Sequence, residues 1–379
     1  MRAVMYNKNT PVAQVDIEKG VVTKICERID EQYLPIILQD NFTEVSLNEW
    51  IEKRRLPAER EGMGSIIKSF SFFEGYPEFE RYGCMFSLSD QYWFRYEESQ
   101  TWEEMNFFTN PYSEELGRLF FYPWEVEKNY EFLPSPDLTT NGLLRKRWTR
   151  GETGDSYLIK AGSKRLRQEP ISEVLATILL RKLNIIPYVE YELTVEGMRL
   201  CSKCRNFVTK DTEFVPAGYI YFKEKRRESE TVYQHLIRMC VMYGIINAKE
   251  YIDNMIAVDR ILGNEDRHLG NFGFIRDINS LKITGFAPLF DSGYSFIPDG
   301  HLPKDKKIIF EEKEQLAALA KALRKINLKK ILNHDEMFAL IDTYPELNNE
   351  ERKCVKDRIL KSDQEVLSVV HDNRRFPGR

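Results

Sequence analysis

The sequence predicts an α+β protein in which a mixed front part is followed by a sheet with one helix and then by a mainly helical part. Short stretches of alternating polarity, such as Pro11–Ile17, are typical of strands. In Pro170–Leu183 the apolar residues recur at helical spacing, and Asn184 is a typical helix exit. From Thr231 onward the pattern is mostly helical, apart from a polar, glycine-punctuated interruption at 263–300.

Length and charge define the domains that we expect. The chain has 379 residues, of which 42% are hydrophobic, so it has enough apolar surface for two or three domains and is not a disordered chain. We expect an accessory subdomain at 1–130, a sheet-and-helix lobe at 131–222 and a helical lobe at 223–379. The first 130 residues carry a net charge of −9 and the remainder +5, which indicates at least two units.

Composition also limits the partners and the compartment. The net charge of −4 argues against direct nucleic-acid binding. Six scattered cysteines favour a reduced, cytoplasmic protein over a disulfide scaffold. The N-terminus lacks the apolar core of a signal peptide, and no run of 18 apolar residues occurs, so neither export nor a membrane span is expected.

Several local elements are predicted from turn and capping signals. A helix is expected over Ser46–Arg55, with the Ser46 hydroxyl as its N-cap. A hairpin is expected where Leu143–Thr149 and Tyr157–Lys160 flank the turn RGETGD, and further strands are expected at Tyr188–Val195 and Phe214–Phe222. Residues 70–130 contain 20 aromatic residues, which we expect to form mainly a core; the alternative is a docking surface for a protein.

The polar interruption contains the segment NEDRHLGN, residues 264–271. Phosphoryl transfer needs a carboxylate that orients or deprotonates the acceptor hydroxyl, and Asp266 is the candidate. It also needs an oxygen ligand for a metal ion, and Asn271 lies five residues later. This spacing is that of kinase catalytic loops. We expect Asp259, on the preceding helix, to hydrogen-bond the loop backbone and shape it.

A second segment, Phe290-Asp291-Ser292-Gly293, places Asp291 twenty residues after Asn271. Between the two segments, Phe272–Ile275 and Lys282–Phe290 can pair as a hairpin, which would make Asn271 and Asp291 neighbours. An amide and a carboxylate oxygen are suitable ligands for Mg²⁺ with phosphates completing its shell. The sequence therefore predicts a magnesium site at this end of the hairpin.

Two further pieces suit the handling of a nucleotide triphosphate. Lys160 ends a predicted strand and could reach phosphates, and Glu173 on the next helix could hold it in place. The segment Leu133–Gly142 is typical of a linker or flexible loop, but the backbone and hydroxyl groups of Ser135–Gly142 could cover phosphates, although this is no Walker A motif. Each piece alone has an ordinary structural explanation, and it is the ordered set that favours a nucleotide site.

These residues resemble the motifs of the HipA-like kinase family, bacterial serine/threonine kinases known as toxins of toxin–antitoxin pairs. The resemblance centres on Asp266–Asn271 and Asp291, and extends through LLRKRW, YLIKAGS and QEPISEVLATILL. It implies a two-lobed, kinase-like fold of the HipA type, with an N-terminal accessory subdomain and a mostly helical C-lobe. It also implies ATP and Mg²⁺ as cofactors and a protein as the substrate.

The resemblance further assigns roles to single residues. Asp266 would be the catalytic base, Asn271 and Asp291 would bind Mg²⁺, and the backbone of Glu213-Phe214-Val215 would read adenine as a hinge. The nucleotide site would be lined by Lys160, Glu173, Glu213, Phe214, Val215, His268, Asn271, Phe290 and Asp291. Relatives can inactivate themselves by phosphorylating their phosphate loop, which here would comprise Ser135, Thr139, Thr140, Asn141 and Gly142.

Some features leave alternatives open. Many relatives have a lysine where this chain has Gly270, and Arg267 could replace that positive contact with the γ-phosphate. No helix-turn-helix is evident, so operator binding would need a separate antitoxin or DNA-binding partner. The letters DRHLGN and FDSG also resemble phosphatidylinositol kinases, which makes a lipid kinase the runner-up. A catalytically silent kinase-like module that binds a protein through its aromatic front part is the third possibility.

Overall fold

Contacts divide the chain into two units. The computed structural model describes residues 1–57, 59–61, 84–122, 134–163, 167–298 and 309–375. The first unit consists of Met1–Lys160, Arg205–Val215 and Ile275–Lys282. The second unit consists of Ala161–Cys204, Pro216–Phe274 and Ile283–Arg379. The three-part division expected from the sequence stays a prediction.

Strands and helices follow one another in a mixed order along the described residues, and the last four of these elements are helices. The strands are β1 Arg2–Asn7, β2 Thr10–Glu18, β3 Val21–Arg28, β4 Tyr92–Arg95, β5 Lys146–Arg150, β6 Ser156–Ala161, β7 Tyr191–Glu196, β8 Arg199–Arg205, β9 Thr212–Pro216, β10 Gly273–Asp277 and β11 Ile283–Phe286. The α-helices are α1 Glu44–Arg54, α2 Trp102–Met105, α3 Glu114–Phe121, α4 Glu169–Leu183, α5 Ala217–Tyr221, α6 Val232–Met242, α7 Ala248–Leu262, α8 Glu312–Leu323, α9 Leu328–Ile331, α10 Asp335–Thr343 and α11 Asn349–Arg375. Among the described helices, none has both the length and the apolar character needed to cross a membrane.

The first unit contains a four-stranded antiparallel sheet in the order β3-β2-β1-β4, which we call the front sheet. The strand expected at Pro11–Ile17 is confirmed as the central part of β2. Helix α1 begins two residues before the sequence prediction, because Thr43 and not Ser46 is its N-cap. The Thr43 hydroxyl accepts the Ser46 N–H and the Ser46 hydroxyl accepts the Thr43 N–H, so Ser46 is the second partner of a capping box.

Aromatic rings form a core against the front sheet. The ring of Trp93 stacks on Phe86 at 4.9 Å between centroids and on Tyr6 at 5.1 Å. Trp102 and Phe107 are buried in the same cluster. Among the described residues of 70–130, these rings therefore serve as a core, as the sequence analysis expected for most of them.

The hairpin expected around RGETGD is confirmed by the antiparallel pairing of β5 with β6. The loop before it is a short 3-10 helix, Pro136–Thr139, with Ser135 as its N-cap. Asp137 lies fully buried in this turn, where its Oδ1 accepts the Trp148 N–H at 2.9 Å and its Oδ2 accepts the Ser135 hydroxyl at 3.0 Å. Burial raises the pKa of Asp137 to about 7 in spite of these bonds.

Asp137 is therefore expected to make stability depend on pH. Its pKa is higher in the folded chain than its ordinary value of 3.8. The stability that the protonated carboxyl contributes is therefore complete below pH 3.8 and is lost as pH rises through about 7. Between pH 5 and pH 8 this loss is on the order of 3 kcal/mol of unfolding free energy. In Asp137→Asn the loss should be much smaller, which urea titrations at both pH values would measure. Equal pH dependence in the two proteins would contradict the assignment.

The second unit confirms the helix expected at Pro170–Leu183, since α4 ends at Asn184 in the left-handed conformation with φ 49°. The strand expected at Tyr188–Val195 is confirmed from Tyr191 onward as β7, which pairs antiparallel with β8. The hairpin expected after Asn271 is also confirmed. Asp277 N–H donates to Lys282 O near its turn, and Ala287 N–H donates to Gly273 O at its open end, both at 2.9 Å.

One predicted strand is wrong in part. The segment Phe214–Phe222 is a strand only as far as Pro216 and continues as helix α5. Pro216 has no N–H to extend a ladder, and the next two N–H groups donate elsewhere. Ala217 donates to Phe272 O and Gly218 to Leu269 O, both at 3.0 Å. These bonds bind the start of α5 to the residues around Asn271.

Candidate active site

The segment 264–271 begins where α7 ends at Gly263, whose φ of 60° is left-handed. The side chain of Asn264 donates to Asp259 Oδ1 at 2.8 Å, and its N–H donates to Asp259 O at 2.9 Å. Asn264 Oδ1 in turn accepts the N–H of Asp266 at 3.4 Å. The helix end thus fixes the backbone that presents Asp266, whose side chain is half-buried.

Arg267 joins the two segments that the sequence analysis singled out. Its Nε and Nη2 donate to the two carboxylate oxygens of Asp259 at 2.9 and 3.0 Å. Its Nη1 donates to Asn271 O at 2.8 Å and to Phe290 O at 2.7 Å. Because one nitrogen binds both carbonyls, Asn271 and the residue before Asp291 lie side by side.

This arrangement bears on two expectations. Asp259 does hydrogen-bond the loop backbone, since its carbonyl accepts the Asn264 N–H, and its carboxylate also accepts bonds from the side chains of Asn264 and Arg267. Arg267 is 3% exposed and donates four hydrogen bonds, so the γ-phosphate contact suggested for it is wrong. Burial alone would lower the pKa of Arg267, but the nearby carboxylates of Asp259 and Asp291 outweigh burial and raise it.

The amide of Asn271 is oriented by the loop. Its Nδ2 donates to the carbonyl of Asp266 at 3.0 Å, and that carbonyl also accepts the N–H of His268 at 3.0 Å. The Asn271 N–H donates to His268 O at 2.9 Å. Since the amide nitrogen binds the loop, the amide oxygen is the atom that this side chain can offer to a ligand.

Asp291 lies in a turn packed on the first turns of α4. Its φ of 58° is left-handed, a conformation that aspartate tolerates better than most residues. Its N–H donates to the Tyr191 hydroxyl at 3.3 Å, and the next N–H, of Ser292, donates to Glu173 Oε2 at 3.3 Å. A Cβ on Gly293 would lie 3.4 Å from Glu169 Cβ, so the turn approaches the helix closely. Glu173 therefore supports the turn that carries Asp291.

The other predicted site residues lie in the first unit. Lys160 is 7% exposed on β6, opposite Lys146, and its interaction with Glu173 stays a prediction. Glu213 is buried on β9, where its Oε1 accepts a hydrogen bond from Arg276 Nη1 at 2.9 Å. The Phe214 N–H donates to Ser89 O at 2.8 Å, and Val215 is buried.

The hydroxyl groups of the predicted phosphate loop donate hydrogen bonds to other groups of the protein. Thr139 donates to Phe86 O at 2.6 Å, and Thr140 donates to Pro136 O at 2.7 Å. Ser135 donates to Asp137, and the amide of Asn141 donates to Lys53 O at 2.9 Å. Gly142, with φ 101°, ends the turn. The role of this loop in covering phosphates stays a prediction.

Comparisons with known proteins show what the chain is similar to. No family model matches the chain. Serine/threonine-protein kinase CtkA of Helicobacter pylori is 28% identical over 196 residues, which cover 45% of this chain and 59% of CtkA. The chain thus spans about three fifths of the length of that relative. A chain in the Shewanella oneidensis MR-1 toxin–antitoxin complex of HipA, HipB and operator DNA matches with a TM-score of 0.58 and 13% identity, covering 96% of each chain.

The fold is similar to that of the HipA complex chain. The crystal structure of the Helicobacter pylori proinflammatory kinase CtkA is matched with a TM-score of 0.47 and 20% identity, covering 60% of this chain and 93% of that one. The two-lobed, kinase-like fold and the resemblance to HipA-like kinases, both expected from the sequence, are confirmed.

Within this HipA-like fold, the ring of His268 explains the glycine at position 270. The Gly270 N–H donates to His268 Nδ1 at 3.1 Å, so that nitrogen is an acceptor. A Cβ at position 270 would lie 3.0 Å from His268 Cε1, closer than ordinary contact. A lysine there, as in many HipA-like loops, would require this ring to move.

Sequence reasoning missed two residues that contact predicted site residues: Tyr191, which accepts the Asp291 N–H, and Arg276, which donates to Glu213. Arg276 is 1% exposed and lies in the strand GFIRD, among residues that are otherwise mostly apolar. A charged residue inside an apolar strand is a signal that could have been followed to a buried partner. Tyr191 gives no comparable signal, because its role depends on the fold bringing β7 to Asp291.

Proposed function

We propose that this chain is a protein serine/threonine kinase that uses ATP and Mg²⁺. The observation that carries the proposal is the shared bond of Arg267 Nη1 to the carbonyls of Asn271 and Phe290. It brings an amide and a carboxylate, from Asn271 and Asp291, onto neighbouring segments beside a loop that presents Asp266. The similarity to CtkA, a protein named as a serine/threonine kinase, supports the same activity.

The donor set suits magnesium. Mg²⁺ binds oxygen ligands and is usually held by one or two protein carboxylates with phosphate oxygens completing the shell. Asn271 can offer its amide oxygen because its nitrogen binds Asp266 O, and Asp291 brings a carboxylate. These two residues would hold the ion, which would neutralise charge on the transferred phosphate.

The remaining roles follow the family assignments. Asp266 would accept the proton of the acceptor hydroxyl, and Lys160 would contact the phosphates. Glu173, His268 and Phe290 would line the nucleotide site. The backbone of Glu213–Val215 would bind adenine, with the Phe214 N–H already donated to Ser89. Ser135, Thr139 and Thr140 are the candidate self-phosphorylation sites.

We also propose a biological setting from the HipA comparison. The matched complex contains HipA, HipB and operator DNA. By analogy, this chain would act as a toxin on a protein substrate. An antitoxin would restrain it, and the antitoxin rather than this chain would contact DNA.

Incubation with labelled ATP and Mg²⁺ tests the activity. We expect label on protein in a mixture of cellular proteins or on the chain itself, and loss of labelling when a chelator removes the metal. Phosphatidylinositol vesicles, offered in parallel, test the lipid-kinase alternative. Label in lipid alone would overturn the protein-kinase assignment, and no labelling together with no ATP-induced thermal shift would leave a silent binding module.

Asn271→Leu is expected to weaken the metal dependence specifically. The apolar side chain removes the proposed oxygen ligand, so the Mg²⁺ concentration for half-maximal rate should rise by roughly tenfold or more. Asn333→Leu, in the turn before α10, is the matched control and should leave that concentration unchanged. An unaltered magnesium dependence in Asn271→Leu would contradict the proposed ligand role.

A further inference from the structure

The segment 206–214, which ends in the proposed adenine hinge, is hydrogen-bonded along its length to the residues that lead into the front sheet. Asn206 Nδ2 donates to Leu88 O at 2.9 Å, and the Phe214 N–H donates to Ser89 O at 2.8 Å. Lys8, just after β1, forms an ion pair with Asp211 at 2.8 Å. All of these residues belong to the first unit.

Gln91 holds the middle of that segment. It is 1% exposed, and its Nε2 donates to Thr209 O at 2.9 Å and to Thr212 O at 3.0 Å. The main-chain carbonyl of Gln91 accepts the N–H of Lys8 at 2.9 Å. One buried amide therefore connects the turn before β9 to the front sheet.

Arg276 makes a second connection. Its Nη1 donates to Glu213 Oε1 at 2.9 Å and to the Tyr92 hydroxyl at 3.4 Å, and all three side chains are buried. Tyr92 is the first residue of β4, so the side chain of Glu213 is tied to the same sheet. Neither connection uses a backbone N–H group of the proposed hinge, since the acceptors are the carbonyls of Thr209 and Thr212 and the carboxylate of Glu213.

We propose that the front sheet is the support that positions the hinge, with Gln91 and Arg276 as positioning residues for nucleotide binding. This inference rests on the proposed function. A hinge that reads adenine through its backbone needs that backbone fixed before the ligand arrives, since any ordering during binding reduces affinity. Loosening the support should therefore weaken ATP binding and leave phosphate transfer at saturating ATP nearly unchanged.

Gln91→Met tests the proposal, because methionine matches glutamine in length and lacks the donor. We expect faster amide hydrogen exchange at 209–214 without nucleotide, a KM for ATP that is about three- to tenfold higher, and a kcat within about twofold of wild type. Gln14→Met, on β2, is the matched control, since its side chain makes no hydrogen bond to 205–215 among the described residues. It should change neither quantity.

The outcomes separate this inference from the proposed function. Unchanged exchange at 209–214 would show that Gln91 does not hold the segment. Faster exchange with an unchanged KM would show that the segment does not position nucleotide, although wild-type phosphate transfer would still support a kinase. If the wild type neither binds ATP nor transfers phosphate, the proposed function fails and this inference fails with it.

Discussion

Asp266→Asn is expected to lower the rate of phosphate transfer at least about 10³-fold while leaving the fold intact. The amide has the size of the carboxylate but cannot accept the proton of an acceptor hydroxyl. The bonds that fix the loop here involve the backbone of Asp266, which donates to Asn264 and accepts from His268 and Asn271. These bonds persist in the variant, so ATP-induced thermal stabilisation should remain close to that of wild type.

Single-turnover measurements with labelled ATP would give this rate. Asp277→Asn is the matched control, because Asp277 serves a turn by accepting hydrogen bonds from the N–H and hydroxyl of Ser280. It should retain the wild-type rate. If Asp266→Asn retained a tenth or more of the wild-type rate, another group would have to be the base, and the assignment of Asp266 would be wrong.

Arg267→Met should be the most destabilising of these substitutions, by roughly 3–5 kcal/mol of unfolding free energy. It would leave the buried carboxylate of Asp259 without its charged partner and the carbonyls of Asn271 and Phe290 without their shared donor. Since those carbonyls lie next to the proposed metal ligands, phosphate transfer should also fall steeply. Urea unfolding would measure the first effect and labelled ATP the second.

A control and a double mutant make this prediction specific. Arg181→Met, at a side chain that is 58% exposed with ion pairs of 3.7 and 3.9 Å, should change stability by no more than about 0.5 kcal/mol. Combining Arg267→Met with Asp259→Leu removes both buried charges, so the double mutant should be destabilised by less than the sum of the single changes. If the double mutant were destabilised by the full sum of the two single changes, Arg267 and Asp259 would not be energetically coupled.

The sequence pattern correctly predicted those elements that depend on residues close to one another in the chain. The hairpin β5–β6 follows from alternation around a glycine turn, and α4 follows from apolar spacing with Asn184 as its exit. The N-cap of α1 was misplaced by three residues, because Thr43 and Ser46 both have capping hydroxyls and only the backbone path decides between them. The strand predicted beyond Pro216 became helix α5, since its first N–H groups donate to residues more than fifty positions later.

The order of the chemical groups, from Lys160 and Glu173 through Asp266 and Asn271 to Asp291, is readable in the residues alone, and so is the HipA-like resemblance. The buried link that Arg267 makes between two segments becomes visible only in the folded chain, as do the bonds of Gln91 and Arg276 that connect the hinge to the front sheet. This is because a buried donor is satisfied by whichever carbonyl or carboxylate the fold brings within reach, and those partners lie far away along the chain.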